Sequence, residues 1–300
     1  MHHLVYGFFY LISLLPFRAL YILSDMVYFL VFYVFKYRKK MVLDSLRYTF
    51  PDKTEAERLK IAKSFYKNFC DTWLEMIKNF SISEKQVKNR IQCDFSLADT
   101  WYKEGKTLQV VGAHFMNWEY LPFCVPISQP YTTLAIFMPL SNSLFDKVIF
   151  RLRSRFGLVL LRAGNMQHEM KEWRQKQYLI LIGADQSPSN PASALWLNFC
   201  NRPTGFITGP WLRAQRQPEP HVFFKMRKPK RGHYQFTMVP FIDDPANTTI
   251  EEMAALYAKM IEDEIKEVPE LFLWTHNRWK KPWKTEYKKN WIDTLYPPPN

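Results

Sequence analysis

Residues 4–35 are apolar or aromatic at nearly every position, and the run stops abruptly at Lys36-Tyr37-Arg38-Lys39-Lys40. A chain with such a stretch either places it in a bilayer or buries it as a helical hairpin in a protein core. Arg18 and the Ser24-Asp25 pair divide the run into pieces shorter than the roughly 20 residues needed to cross a hydrocarbon core, so a clean transmembrane helix is not expected. A cleaved signal is not expected either, because no charged region precedes the run and no A-x-A-like site follows it. The basic cluster would hold the following chain on the cytoplasmic side and attract anionic lipid. Residues 1–40 are therefore read as a membrane anchor with a basic flank, spanning or deeply interfacial. Residues 41–300, undivided by any linker or low-complexity run, are read as one folded domain.

The formal charge of +13 gives a surface that attracts anions: nucleic acid, lipid headgroups or an acidic carrier protein. Ten Trp, in a chain that is 17% aromatic, suit a membrane–water boundary, where amphipathic rings settle. The cysteines Cys70, Cys93, Cys124 and Cys200 lie far apart, without a C-x-x-C pair, which implies a reduced domain without structural zinc.

Apolar spacings of three and four over residues 54–78 predict an amphipathic helix with Thr54 as its N-cap. Beyond it, residues 107–113, 133–137, 158–161, 178–182, 221–226 and 234–239 read as strands. Residues 144–156, 166–177, 206–216 and 250–267 read as helices. Such alternation predicts an α/β fold with a mainly parallel mixed sheet flanked by helices. Functional groups in these sheets gather beyond the carboxyl ends of the strands.

One strand exit stands out. The apolar run ending at Ala113 gives way to His114-Phe115-Met116-Asn117-Trp118-Glu119. An imidazole with an ordinary pKa near 6.5 takes and returns a proton at neutral pH, so His114 is a candidate general base. Glu119 is a candidate partner that would fix the imidazole tautomer and stabilise the imidazolium. Five helical positions span about 140°, so the two can meet only if the chain turns between them. Gly112 and Pro122 are compatible with irregular backbone there.

His114-x-x-x-x-Glu119, at this distance behind an apolar N-terminus, resembles the catalytic motif of the lipid A biosynthesis acyltransferases. These are the inner-membrane enzymes of the lauroyl and myristoyl type that add secondary acyl chains in Gram-negative bacteria. Met138-Pro139-Leu140 and Asn142-Ser143-Leu144-Phe145 resemble the family's proline-and-asparagine segment. Arg151, Arg153, Arg155 and Gly157, with Arg162 after them, resemble its arginine-rich helix, and Gly183-Ala184-Asp185-Gln186 its Asp-containing strand end. Asn201-Arg202-Pro203-Thr204-Gly205 is similar to its Thr-Gly helix entrance, and Leu273-Trp274-Thr275-His276-Asn277-Arg278-Trp279-Lys280 to its closing motif. The chain departs from the family after Asp185, where Gln186-Ser187-Pro188-Ser189-Asn190-Pro191 replaces a compact glycine-containing loop.

The resemblance implies a glycerolipid-acyltransferase-like fold in the region 41–300 and transfer of a fatty acyl chain from an acyl carrier protein thioester to a hydroxyl of a lipid A precursor or similar glycolipid. His114 would be the base and Glu119 its partner, and no cofactor or metal is required. Arg153, Arg155 and Arg162 would clamp phosphate oxygens, since planar guanidinium suits bidentate anion binding. Asp185 would orient one of them. Thr204 and Gly205, at a helix start, would offer amides to an anion or simply cap the helix. The expected partners are the thioester donor, the glycolipid and membrane lipids, not nucleic acid. The expected place is the bacterial inner membrane, with the catalytic domain on the cytoplasmic side. The alternatives are an acyltransferase for another acceptor, a phosphatidylinositol mannoside or an aminolipid, or a membrane-tethered anion-binding protein that has lost catalysis.

Overall fold

A computed structural model describes residues 2–217 and 219–293. Its centre is a seven-stranded sheet built from β1 (Ile91–Asp94), β2 (Leu108–Gly112), β3 (Thr132–Phe137), β4 (Val159–Arg162), β5 (Tyr178–Gly183), β8 (His221–Lys230) and β9 (His233–Ile242). The spatial order is β1-β9-β8-β2-β5-β3-β4. From β8 to β4 every neighbouring pair is parallel, whereas β9 returns antiparallel to β8 and carries β1 parallel to itself. The fold is thus the expected α/β arrangement with a mainly parallel sheet. Apolar β2 and β5 are buried in its middle, as strands covered on both faces should be.

The helix Glu55–Lys78 begins at Thr54, whose hydroxyl accepts from the Glu57 amide while the Glu57 carboxylate accepts from the Thr54 amide. The same reciprocal cap, between Thr249 and Glu252, opens the helix Ile250–Glu267. Each cap pairs amides that a helix start otherwise leaves without partners. Two sequence readings need correction. Residues 166–177 form only a short helix, Met166–Glu169, followed by a 3-10 turn, Met170–Trp173. Residues 202–206, expected to lead into a helix, form β7 (Arg202–Phe206), which pairs antiparallel with β6 (Leu195–Phe199); the helix starts only at Gly209.

The apolar N-terminal stretch forms two helices, His2–Ser13 and Phe17–Phe29, and the second continues as a π-helical turn, Leu30–Val34. Residues Phe17–Val34 are long and apolar enough to cross a membrane, by length and composition. Lys36 and Arg38, with φ of 50° and 52°, then turn the chain into the helix Lys39–Thr49. Of the polar residues that interrupt the run, Arg18 is exposed, whereas Ser24 and Asp25 are tied to the domain. Ser24 Oγ donates to Asp71 Oδ1 at 2.7 Å, and Tyr21 donates its hydroxyl to Glu75 at 2.8 Å. Arg231, at the β8–β9 turn, bridges Asp25 and Asp71. Phe32 is fully buried against the Tyr66 ring, while Ile22, Met26, Phe29 and Leu30 stay exposed.

Candidate active site

In the register of the central sheet Gly112 on β2 lies beside Gly183 on β5. Each strand then runs two residues further, to His114 and to Asp185, so parallel pairing brings both side chains to one place beyond the carboxyl ends. His114 Nδ1 lies 2.6 Å from Asp185 Oδ1, and the His114 backbone amide donates to Asp185 Oδ2 at 3.0 Å. Tyr257, from the helix Ile250–Glu267, ties the two strand ends together: its hydroxyl donates to the Gly112 carbonyl at 2.6 Å and accepts from the Ala184 amide at 3.1 Å. Gly183 is needed for close approach. A Cβ there would lie 3.0 Å from His114 Cε1.

Burial works against a charged imidazole at His114. The Asp185 charge and hydrogen bond, helped by the charge of Glu119, outweigh it and hold the imidazole above its ordinary pKa. Asp185 is likewise opposed by burial, but His114 and backbone amides hold its carboxyl below the usual range. With Nδ1 protonated toward Asp185, Nε2 is the atom that can accept a proton. The Gln186 carboxamide nitrogen lies 3.3 Å from it, and the Trp118 ring stands edge-on to the imidazole at 5.2 Å.

The expected hydrogen-bonded pair of His114 and Glu119 is not what the backbone produces. After His114 the chain passes through a cis peptide between Met116 and Asn117 and a 3-10 turn, Trp118–Tyr120. Glu119 is buried and grips Arg153 bidentately, accepting from Nε at 3.1 Å and from Nη2 at 2.5 Å. Trp118 Nε1 donates to the same carboxylate at 3.1 Å. The position is set from below. The Asn117 carboxamide accepts the Glu119 amide at 3.0 Å and donates to Glu75 Oε2 at 2.9 Å, and Tyr234 donates to that same oxygen at 2.8 Å. Burial pushes the Glu75 carboxyl up, against the charge of Lys228 and the hydrogen bonds from Asn117 and Tyr234.

The remaining expected residues scatter. Arg155 spends its guanidinium on the carbonyls of Asn79 and Ile82, and Arg162 stands exposed at the end of β4, so only Arg153 of the three lines the His114 cavity. Asp185 orients the histidine rather than an arginine. Thr204 is buried inside β7, where its hydroxyl accepts from Trp279 Nε1 at 2.8 Å and donates to the Arg202 carbonyl, so it caps no helix. Gly205 gives its carbonyl to Arg278 Nη2 at 2.6 Å. The C-terminal motif braces the site. Leu273 donates its amide to the His114 carbonyl, and His276 accepts the Ser187 amide at 3.2 Å in the loop after Asp185. Burial pushes the His276 imidazole down to about 4, against the charge of Asp185, so it is neutral and free to accept.

Asn117, Glu75 and Tyr257 escaped the sequence reading. Tyr257 alone left a trace, as one of the apolar-face positions Met253, Ala254, Tyr257, Ala258 and Ile261 of a helix that is otherwise plain core.

His114, Glu119 and Arg153 open onto a cavity of about 160 Å³ whose other walls include Leu121, Ile136, Leu160, Leu181, Phe224 and Met226. Its walls are mostly apolar, with the charged side chains of Glu119 and Arg153 set among them. The site thus combines an oriented imidazole, a cation held by a carboxylate and a mostly apolar slot. The sequence of bacterial lipid A biosynthesis acyltransferases matches residues 1–281. The chain belongs to that family. It is 24% identical over 293 residues to the lipid A biosynthesis lauroyltransferase of Escherichia coli (strain K12), covering 91% of this chain and 89% of the relative. It is 22% identical over 248 residues to the lipid A biosynthesis palmitoleoyltransferase of the same organism and to the lipid A biosynthesis acyltransferase of Shigella flexneri, covering 82% of this chain and 79% of each relative. Within this lipid A acyltransferase the matched region takes in every strand of the central sheet and both members of the His114–Asp185 pair.

Proposed function

We propose that this acyltransferase moves a fatty acyl chain from an acyl carrier protein thioester to a hydroxyl of a lipid A precursor, with His114 as general base. The observation that carries the proposal is the His114–Asp185 pair at the mouth of an apolar cavity. His114 Nε2 takes the proton of the acceptor hydroxyl, and the oxygen attacks the thioester carbonyl. The tetrahedral oxyanion collapses by breaking the carbon–sulfur bond, and the leaving thiolate takes the proton back from the imidazolium. Asp185 stabilises that imidazolium. Glu119 acts by holding Arg153 at the cavity, where its guanidinium can meet the developing oxyanion, and the apolar walls receive the acyl chain. Exposed Met138, Leu140, Phe145 and Phe150 lie in the loop and helix that run from β3 to Arg153, and they suit an acceptor delivered from a bilayer. Residues 1–35 would hold the enzyme at the bacterial inner membrane, with the domain facing the cytoplasm.

The test is transfer of labelled acyl groups from acyl carrier protein thioesters to a lipid A precursor by the purified full chain. Transfer is expected, together with a loss of about 10²–10⁴-fold in a folded His114→Ala variant. Turnover in that variant within about tenfold of the parent rate would remove His114 as the base. A protein without any transfer would return the inactive anion-binding reading.

A further inference from the structure

On another face the end of the apolar N-terminal stretch meets the β6–β7 hairpin across a wide cleft of about 930 Å³. Six cations line it, Lys36, Arg38, Lys39, Lys40, Arg47 and Arg202, against one carboxylate, Asp44. That carboxylate is already paired with Arg47 at 2.7 Å, and Arg47 also binds Glu55. Arg38 is committed to the Thr275 carbonyl at 2.6 Å. The cleft therefore keeps a strong excess of positive charge, supplied chiefly by Lys36, Lys40 and Arg202, while the Lys39 ammonium sits over the Phe32 ring.

The walls are built rather than loose. The Arg202 guanidinium lies 4.3 Å from the centre of the Tyr48 ring and 4.9 Å from that of Trp279. Trp279 is fixed by its hydrogen bond to Thr204, and the Asn201 carboxamide donates to the Tyr48 carbonyl at 2.9 Å. An arginine held between two rings keeps its planar fork set for anion oxygens, at little further loss of conformational freedom on binding. Lys36 and Lys40, both exposed, flank the same opening two and six residues past the outward-facing apolar segment that ends at Val34. A Trp beside basic residues at such a level is the side-chain set of a membrane–water interface.

We infer that this cleft, separate from the cavity of His114, binds the phosphate of an anionic lipid headgroup. The inference rests on the proposed membrane attachment of residues 1–35 for its lipid source, but its test does not need a bilayer. The full chain in a neutral detergent is titrated with phosphatidylglycerol or phosphatidylcholine in the micelles, and retained lipid is counted by native mass spectrometry. Each basic residue near an anionic headgroup contributes about fivefold in affinity. The parent should therefore prefer phosphatidylglycerol by about tenfold or more, and Lys36→Gln/Lys40→Gln should lose most of that preference. Arg202→Lys, which keeps the charge but not the planar fork, should lie between. Lys85→Gln/Lys88→Gln, the same charge change on the exposed helix Glu84–Arg90, should match the parent.

Equal losses in the two double variants would overturn the cleft as a site and leave diffuse attraction. Competition by inorganic phosphate at low millimolar concentration would overturn the lipid assignment in favour of a soluble anion. An unchanged lipid preference alongside lost binding of an acyl carrier protein would overturn it in favour of an acidic protein. Fractionation of cells reports separately on membrane attachment, so a soluble protein with an intact lipid preference would refute the anchor and not the cleft.

Discussion

Replacing Asp185 by Asn removes the charge that holds His114 above its ordinary pKa, and the consequence has a definite sign. With the neutral imidazole as the proposed base, the acid limb of kcat/KM in the parent should lie above the ordinary value of about 6.5. In Asp185→Asn the limb should move to lower pH, and the plateau should fall by about 10²–10⁴-fold. A pH–rate profile whose limb stays in place would assign the titration to another group. Glu119 and Arg153 form a bidentate pair with the carboxylate nearly buried, so removing either leaves the other uncompensated. Glu119→Gln and Arg153→Gln should each lower kcat/KM severely, and the double variant should be far less impaired than the product of the two. A coupling below about 0.5 kcal/mol in that double-mutant cycle would make them independent residues. Much of this site was legible in the sequence. His114 announced itself as a polar residue leaving a buried strand, whereas Asp185 entered through the family resemblance, as the orienter of an arginine. Their pairing was not legible, because the two lie 71 residues apart and only the β2–β5 register brings them together. The nearer Glu119 drew the partnership instead, since a reading of local spacing has no view of a turn fixed through Asn117 by a distant Glu75.

Elements differ in how well their residues declare them. The helices Glu55–Lys78 and Ile250–Glu267 carry reciprocal caps and sustained apolar periodicity, and both were placed from sequence to within a residue. The strand β7 was missed because Pro203 and Gly205 argue against a strand interior. Both are tolerated there because β6 and β7 form a separate two-stranded ribbon, and at Gly205 the side chains of Ala194, Trp196 and Pro188 stand 3.2–3.3 Å from the place a Cβ would take, so that any larger residue would crowd them. The turn between His114 and Glu119 is the element on which the proposed chemistry depends most. Asn117→Ala takes one hydrogen bond from the Glu119 amide and one from buried Glu75, at a cost of about 1–3 kcal/mol for each polar group left without its partner. Lower stability to denaturant and a lower kcat are expected, with the acid limb of the pH profile moving less than in Asp185→Asn, because Asp185, the larger of the two charges that hold the imidazole up, is untouched. A limb displaced as far as in Asp185→Asn would mean that Asn117 acts through the His114–Asp185 pair rather than through Glu119.

For the molecule as a whole, the N-terminal helices have two unlike sides. One is tied to the domain through Tyr21, Ser24 and Asp25, and the other carries exposed Ile22, Met26 and Phe29. Deleting the helices would strip Asp71 and Glu75 of partners, so membrane attachment is better tested by Ile22→Glu/Met26→Glu/Phe29→Glu in the full chain. Charges there should release the protein from the membrane fraction, while its melting temperature stays close to that of the parent. A variant that stays bound through a high-salt wash would place the attachment elsewhere, with Met138, Leu140 and Phe145 the next surface to alter. The equal offset of His114 and Asp185 from two paired glycines also orders events during synthesis. Translation at about 5–20 residues per second separates the emergence of the two side chains by about 4–14 s. The apolar helices precede both, so a nascent chain anchored as proposed would meet the lipid surface before the His114–Asp185 pair exists.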